Sequence, residues 1–210
     1  MSGHPDEDLK AIAHRPVGSV PATNLILASS SPRRRELLAR LGIEPARVVH
    51  ADIDETPRPH ELPRDYATRM AREKARAAAH SDTHVLAGDT VVAVGRRILP
   101  KAEDEPTARR CLELLSGRRH RVFSAVVLLA PDGKLRDRLS ETKVRFKNLS
   151  EEDIRSYLAA GEWRGKAGGY AIQGSAEGLV AWIAGSHSGV VGLPLFETRA
   201  LLKVAGFSIG

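Results

Sequence analysis

The chain has 210 residues, 42% of them hydrophobic and 28% charged, which is ordinary for a globular protein and excludes wholesale disorder and a fibrous chain. With 32 Lys and Arg against 26 Asp and Glu, the net charge is +6, which favours an anionic partner: nucleic acid, a phosphorylated metabolite or a membrane surface. Aromatic residues, at 4%, are too few for a base-stacking platform, so nucleic acid is disfavoured and a small phosphate compound is the expected partner.

Cysteine and hydropathy patterns bear on the compartment. The single cysteine, Cys111, excludes an internal disulfide, and its place among leucines predicts a buried structural thiol rather than a nucleophile. No apolar run approaches the ~18 residues that a membrane span needs, and the N-terminal "MSGHPDEDLK" is acidic where a signal peptide is basic. We therefore predict a cytoplasmic protein that does not enter a membrane.

The predicted elements begin after a mobile extension, residues 1–22, which mixes Pro, Gly, His and charge without apolar periodicity. A single domain over 23–210 follows. It is predicted to contain strand 25–28, helix 32–41, strand 47–50, a polar loop at 52–63, helix 64–80, strand 85–94 with a hairpin turn at 95–97, a helix from Asp104 to Gly117, strands 120–130 and 135–147, a helix opened by a Ser150/Asp153 capping box, a glycine-rich segment 165–192 and helix 195–204. Interleaved strands and helices with hairpins predict an α/β fold with a mixed sheet.

The first chemistry-bearing stretch is "LILASSSPRRRELL", residues 25–38. Pro32 fits the first helical position after Ser31. Arg33 and Arg34 then lie in the first turn, where the helix dipole is already positive, and a bound polyphosphate would make that placement favourable. A serine cap beside solvated arginines is the alternative, although it does not explain the arginine cluster.

A helical stripe in "DYATRMAREKARAAA", residues 65–79, contains one cation among buried positions. Tyr66, Met70 and Lys74 share this stripe. Lys74 either extends its ammonium group to solvent from the rim of the buried face or points into a cleft and meets a phosphate.

The strand "HVLAGDTVVAVG", residues 84–95, places a carboxylate in an apolar row. On a period of two, Asp89 shares its face with alanines and valines, and an acid there is costly to bury unless it is paired, hydrogen-bonded or bound to metal. We expect Asp89 to bind a divalent ion or to accept a proton from water. Gly88 allows a bulge or a close backbone approach, and Thr90, on the opposite side of a regular strand, would need the bulge to share the site.

Acids of the loop "ADIDETPRP" are candidates for a second metal ligand. Loop acids are usually solvated, but Asp52, Asp54 or Glu55 together with Asp89 would complete a two-carboxylate magnesium site, the usual partner of substrate phosphates. Lys101 and Lys166 are further cations with weaker individual claims.

As an ordered set, six motifs over residues 24–206 resemble the Maf family of nucleoside triphosphate pyrophosphatases: "LILASSSPRRRELL", "DETPR", "REKA", "GDTVV", "KAGGYAIQG" and "VVGLPL". The resemblance implies an elongated, twisted mixed sheet flanked by helices, with two lobes around a central cleft. It also implies hydrolysis of a nucleoside triphosphate to the monophosphate and pyrophosphate with a divalent metal, Mg²⁺ or Mn²⁺, in a homodimer.

The resemblance also implies roles for single residues. Asp89, as proton acceptor, Lys74 and Lys101 match catalytic positions, and Glu55 and Asp89 match metal positions. Positions expected to bind substrate are Ser29, Arg33, Arg34, Thr90 and Gln173. Among these, Arg33, Thr90 and Gln173 match the residues of the family branch that resembles dTTP and UTP pyrophosphatases. The chain departs from the family pattern at Ser124, where Thr is usual, without loss of a charged catalytic group.

Two other functions are compatible with these residues. The first is a pyrophosphatase for 7-methyl-GTP or another modified nucleotide. The branch of the family associated with 7-methyl-GTP, however, tends to carry a large aromatic residue, Gln and Glu at the positions of Arg33, Thr90 and Gln173. The second is a non-catalytic regulator of septum formation and cell division that binds nucleic acid through its basic surface.

Overall fold

A computed structural model describes residues 20–209, with side chains from residue 24 onward, so residues 1–19 of the predicted extension lie outside the described residues. The strands are β1 (Val20–Ala28), β2 (Ile43–Val49), β3 (His84–Val94), β4 (Arg97–Ile98), β5 (Lys101–Ala102), β6 (Arg119–Leu129), β7 (Leu135–Phe146), β8 (Lys166–Ala167) and β9 (Val180–Ala184). The helices are α1 (Pro32–Ala39), α2 (Pro63–Ala77), α3 (Glu105–Leu115), α4 (Glu151–Ala160), α5 (His187–Val191) and α6 (Leu195–Val204), with a 3₁₀ turn at Ser175–Leu179.

A seven-stranded mixed sheet organises the fold, as predicted. Its order is β2-β1-β3-β6-β7-β9, with β4 paired to β3. β1 runs parallel to both of its neighbours, and the other pairs are antiparallel. β5 and β8 form a separate antiparallel ribbon. Within residues 20–209, no helix is both long and apolar enough to cross a membrane.

Local sequence signals explain several element ends. Ser150 and Asp153 form the predicted capping box at the start of α4, and the Asp104 side chain accepts a hydrogen bond from the Thr107 amide at the start of α3. α6 spans residues 195–204 as predicted. β1 begins at Val20, inside the predicted extension, because residues 20–22 pair with the start of β2. The glycine-rich segment contains β8, β9 and α5, none of which was predicted.

Three hydrophobic clusters pack around the sheet. The α2 cluster lies on one face and includes Ile26, Met70 and Val91, while the α6 cluster lies on the other face and includes Leu25, Leu38 and Leu202. The third, which we call the α3–α4 cluster, gathers Leu112, Tyr157, Trp163 and neighbours at the far end of β3 and β6. Alternate residues of β1 and β3 therefore face different helices, as the pleat of a strand requires.

A gap along one edge of β3 creates the space for a site. β6 covers one edge of β3 from Val85 to Ala93. On the other edge, pairing with β1 ends at Ala87 and pairing with β4 begins at Ala93, so among the described strands none covers Gly88–Val92 on that side. The chain leaving β1 turns into α1 next to this gap.

Candidate active site

A cavity of about 360 Å³ opens at the uncovered edge of β3. All nine site residues predicted from the sequence line it: Ser29, Arg33, Arg34, Glu55, Lys74, Asp89, Thr90, Lys101 and Gln173. They come from six separate stretches of chain, which the sheet order and the loops of the fold bring together.

A chain of ion pairs joins the predicted catalytic residues. Lys74 Nζ lies 2.6 Å from Asp89 Oδ1 and 2.8 Å from Glu55 Oε1, and Lys101 Nζ lies 2.6 Å from Glu55 Oε2. The Asp89 and Lys74 side chains are only 8% and 10% exposed, so Lys74 points into the cleft rather than to solvent. Burial acts to raise the pKa of Glu55, but hydrogen bonds and charge from Lys101 and Lys74 outweigh it and lower that pKa to about 2.

Neutral oxygens hold the guanidinium group of Arg34 at the cavity wall. Its Nε donates to the Gly192 carbonyl at 2.8 Å, Nη1 donates to Ser29 Oγ at 3.1 Å, and Nη2 donates to Thr90 Oγ1 at 3.4 Å. Burial lowers the pKa of Arg34, with Asp89 opposing the shift. Ser31 makes no side-chain cap on α1, so serine capping does not account for this stretch. Because the hydrogen-bond partners of Arg34 are neutral, its positive charge is not cancelled, and an anion bound beside it would be stabilised.

Gly88 allows a close approach of its neighbours and does not form a bulge. A Cβ at this position would lie 3.2 Å from the Ala125 carbonyl oxygen and 3.4 Å from Arg34 Nε. The prediction that Thr90 needs a bulge is wrong, because β3 pairs with β6 in unbroken register and Thr90 still lines the cavity. The cavity lies beside the edge of the strand, so side chains from both faces of β3 reach it.

Positive charge dominates the cavity wall. Two carboxylates, those of Glu55 and Asp89, line the cavity. The six cationic side chains that line it are Arg33, Arg34, Lys74, Lys101, Arg164 and Lys166. Burial and the charge of nearby Arg33 lower the pKa of Lys166, as expected where cations crowd together. An excess of four positive charges matches a polyphosphate in sign and size of charge.

Comparison with known proteins identifies the family. The model of the Maf-like protein family matches residues 24–205. The chain belongs to this family. This confirms the resemblance that the sequence motifs had indicated.

Curated relatives of this Maf-like chain cover nearly all of it. A protein of Novosphingobium aromaticivorans named dTTP/UTP pyrophosphatase is 66% identical over 92% of this chain and 96% of its own. Proteins of the same name from Sphingopyxis alaskensis and Zymomonas mobilis are 62% and 60% identical, over 89% and 90% of this chain and 98% and 94% of their own. Among solved structures, the nucleoside-triphosphatase / dITP/XTP pyrophosphatase of Mycobacterium abscessus aligns with a TM-score of 0.40 at 19% identity, over 62% of this chain and 74% of its own.

The Maf-like site has two carboxylates suited to a divalent metal. Glu55 and Asp89 both contact Lys74 Nζ, so their oxygens lie around one point beside the cavity. Within residues 20–209, no group of three or more His, Cys, Asp or Glu side chains is placed to hold a metal. Two carboxylates are too few for a closed protein cage, but they suit a divalent metal whose other coordination positions are filled by water and ligand oxygens.

Sequence reasoning named Ser124 and the motif "VVGLPL" but assigned them no role in holding the side chains of the Maf-like site. Ser124 hydrogen-bonds Thr90 at 2.9 Å and donates to the Gly189 carbonyl, so its hydroxyl links β3 to α5. The end of α5 thereby positions both Thr90, through Ser124, and Arg34, through the Gly192 carbonyl. The motif "VVGLPL" begins at the end of this helix, but no chemical role could be read from its apolar residues.

Proposed function

We propose that this Maf-like protein hydrolyses nucleoside triphosphates, dTTP and UTP foremost, to the monophosphate and pyrophosphate. The observation that carries the proposal is one cavity whose wall combines six cationic side chains, Lys74 among them, with the carboxylates of Asp89 and Glu55. Transfer of a phosphoryl-type group requires mainly positioning and charge neutralisation from the protein, and these side chains supply both. The names of the curated relatives, at 60 to 66% identity, support the same reaction.

Each residue is assigned a role at a stated atom. Arg34 and Lys101 bind phosphate oxygens, and Ser29 aligns Arg34 through its hydroxyl. Lys74 holds Asp89 through Oδ1, so we assign proton acceptance from the attacking water to Oδ2. Nucleotide pyrophosphatases of this kind generally use a divalent metal, which Glu55 and Asp89 would hold and which would neutralise phosphate charge as a Lewis acid.

Base selectivity is assigned to Arg33, Thr90 and Gln173. Gln173 is an exposed residue of the cavity wall, and its amide can both donate to and accept from a pyrimidine edge. Arg33 donates from Nε to the Val191 carbonyl at 3.4 Å, which keeps its remaining donors near the cavity.

The test is pyrophosphate release from dTTP, UTP, CTP, 7-methyl-GTP and the four purine nucleotides, with Mg²⁺ or Mn²⁺. We expect dTTP and UTP to turn over fastest, and Asp89→Asn to lower kcat by about 10²- to 10⁴-fold, the usual worth of a general base. Asp132→Asn, in an exposed turn between β6 and β7, is the control and should keep full activity.

Three outcomes would contradict the proposal. Normal turnover by Asp89→Asn would remove the assigned base, and a preference for 7-methyl-GTP would change the substrate. Absent turnover combined with steeply salt-dependent binding to DNA would favour the nucleic-acid-binding regulator. The cytoplasmic location and the homodimer stay predictions from the sequence and the family resemblance.

A further inference from the structure

We propose that Tyr66 and Arg69 of α2 are positioning residues that fix Glu55 by binding the main chain of its loop. The loop, residues 50–62, contains neither helix nor strand, yet it carries a carboxylate of the site. This inference rests on the proposed function for the role of Glu55, but the contacts that carry it are independent of that role.

Two side chains of α2 hold consecutive carbonyl groups of the loop. Tyr66 Oη donates to the Glu55 carbonyl at 2.7 Å, and Arg69 Nη2 donates to the Thr56 carbonyl at 3.1 Å. Tyr66 is 8% exposed and packs in the α2 cluster beside Met70, so its hydroxyl has a fixed direction. The loop backbone is therefore tied to the helix directly at the residue that bears the functional carboxylate.

A further ion pair fixes the guanidinium group of Arg69. Its Nε and Nη2 each lie 2.7 Å from one oxygen of Glu61, in the same loop, with side chains 14% and 9% exposed. The guanidinium carbon also lies 5.4 Å from the centre of the Tyr66 ring. A two-point, mostly buried ion pair restricts the rotamers of Arg69 and so preserves its bond to Thr56.

α2 contacts Glu55 at both ends of the residue. Tyr66 binds its carbonyl and Lys74 binds its carboxylate at 2.8 Å. The two helix residues are two turns apart, about 12 Å along the axis. Because Lys74 also binds Asp89 at 2.6 Å, one rigid helix sets the distance between the two carboxylates, which would otherwise repel each other.

The experiment compares Tyr66→Phe and Arg69→Gln with the control Arg72→Gln in the full chain. Tyr66→Phe removes only one hydroxyl, and Arg72 lies on the same helix but pairs with Asp137 instead of the loop. Three quantities are measured: hydrogen exchange of residues 52–62, the Kd for Mn²⁺ alone, and KM and kcat for the nucleotide.

We expect loop exchange to quicken, and the Kd for Mn²⁺ and KM to rise, by about 2- to 10-fold in Tyr66→Phe, the effect of one lost hydrogen bond. Arg69→Gln should change them at least as much, because it also loses the ion pair with Glu61. The change in kcat at saturating metal and nucleotide should be smaller, and Arg72→Gln should match the wild type. Unchanged loop exchange in both variants would overturn the proposal. So would quickened exchange spread equally over α2 and β3, which would indicate a general packing role.

A fourth variant separates this inference from the proposed function. If Glu55→Gln binds Mn²⁺ as the wild type does, the assignment of Glu55 as a metal ligand is wrong. In that case the exchange measurements by themselves still test the role of Tyr66 and Arg69, because they report how firmly the loop is held in the absence of metal and substrate.

Discussion

Arg34 and Arg35 are neighbours in the chain with different surroundings. Arg34 points inward, where Gly192, Ser29 and Thr90 offer only neutral oxygens. Arg35 points outward, is 60% exposed and pairs with Glu44. A surface pair of this kind contributes little to stability, whereas an inward cation held by dipoles is suited to bind an anion.

This contrast predicts a difference in ligand stabilisation between the two arginines. Pyrophosphate at about 100 times its Kd should raise the Tm of the wild type by roughly 5 to 10 °C, since a ligand that binds only the folded state stabilises it. Arg34→Gln should lose most of this shift, while Arg35→Gln should keep it. Thermal denaturation with and without pyrophosphate makes the measurement, and equal shifts in both variants would contradict the assigned role of Arg34.

At the scale of elements, the loop after β8 packs against β3 through glycine. Gly168 has φ +67°, and a Cβ there would lie 2.8 Å from Val92 Cγ1. The Gly168 amide also donates to the Pro100 carbonyl at 2.9 Å, which joins this loop to the segment before Lys101. Gly168 therefore allows the contact by which the loop that carries Gln173 reaches the cavity.

Replacing Gly168 should disturb this packing more than a turn glycine elsewhere. Gly168→Ala combines left-handed strain with overpacking, so we expect a loss of about 2 to 4 kcal/mol in the free energy of unfolding. Gly133→Ala, at φ +80° with nothing within 4 Å of a Cβ, should lose only about 1 kcal/mol. Urea denaturation of both variants measures the two losses in the free energy of unfolding. Equal losses would show that backbone strain alone accounts for the effect of Gly168→Ala and that overpacking against Val92 adds nothing.

At the scale of the whole molecule, β3 and β6 join the three hydrophobic clusters. Val92 and Val122 belong to the α3–α4 cluster, Val91 and Phe123 belong to the α2 cluster, and Leu86 and Val126 belong to the α6 cluster. Because the same two strands supply all three, no cluster can lose its packing without exposing the strands that serve the others.

Shared strands predict one cooperative unfolding transition, which would agree with the single domain predicted over residues 23–210. Trp182→Phe leaves Trp163, 1% exposed in the α3–α4 cluster, as the only tryptophan. Its fluorescence and the far-UV circular dichroism should then change at the same urea concentration. An earlier fluorescence transition would instead show that the α3–α4 cluster unfolds on its own.

Much of the fold and several site residues could be predicted because they depend on local patterns. The period of α2 placed Lys74 on the buried stripe, and the alternation of β3 placed Asp89 in an apolar row. The structure shows that this row faces α2, where Lys74 and Asp89 form their ion pair. The capping box gave the start of α4, and the predicted bounds of α6 agree with the structure. A residue's face and an element's end are set by its immediate neighbours in sequence, so these features are visible in the chain alone.

Contacts between distant segments were decided only by the tertiary structure. Arg34 and Gly192 are 158 positions apart, and Tyr66 meets Glu55 through a loop without secondary structure. Thr90 reaches the cavity because pairing with β1 stops at Ala87, which no pattern within β3 reveals. Amino-acid order determines which way a side chain faces, but what it meets depends on which strands pair and where that pairing ends.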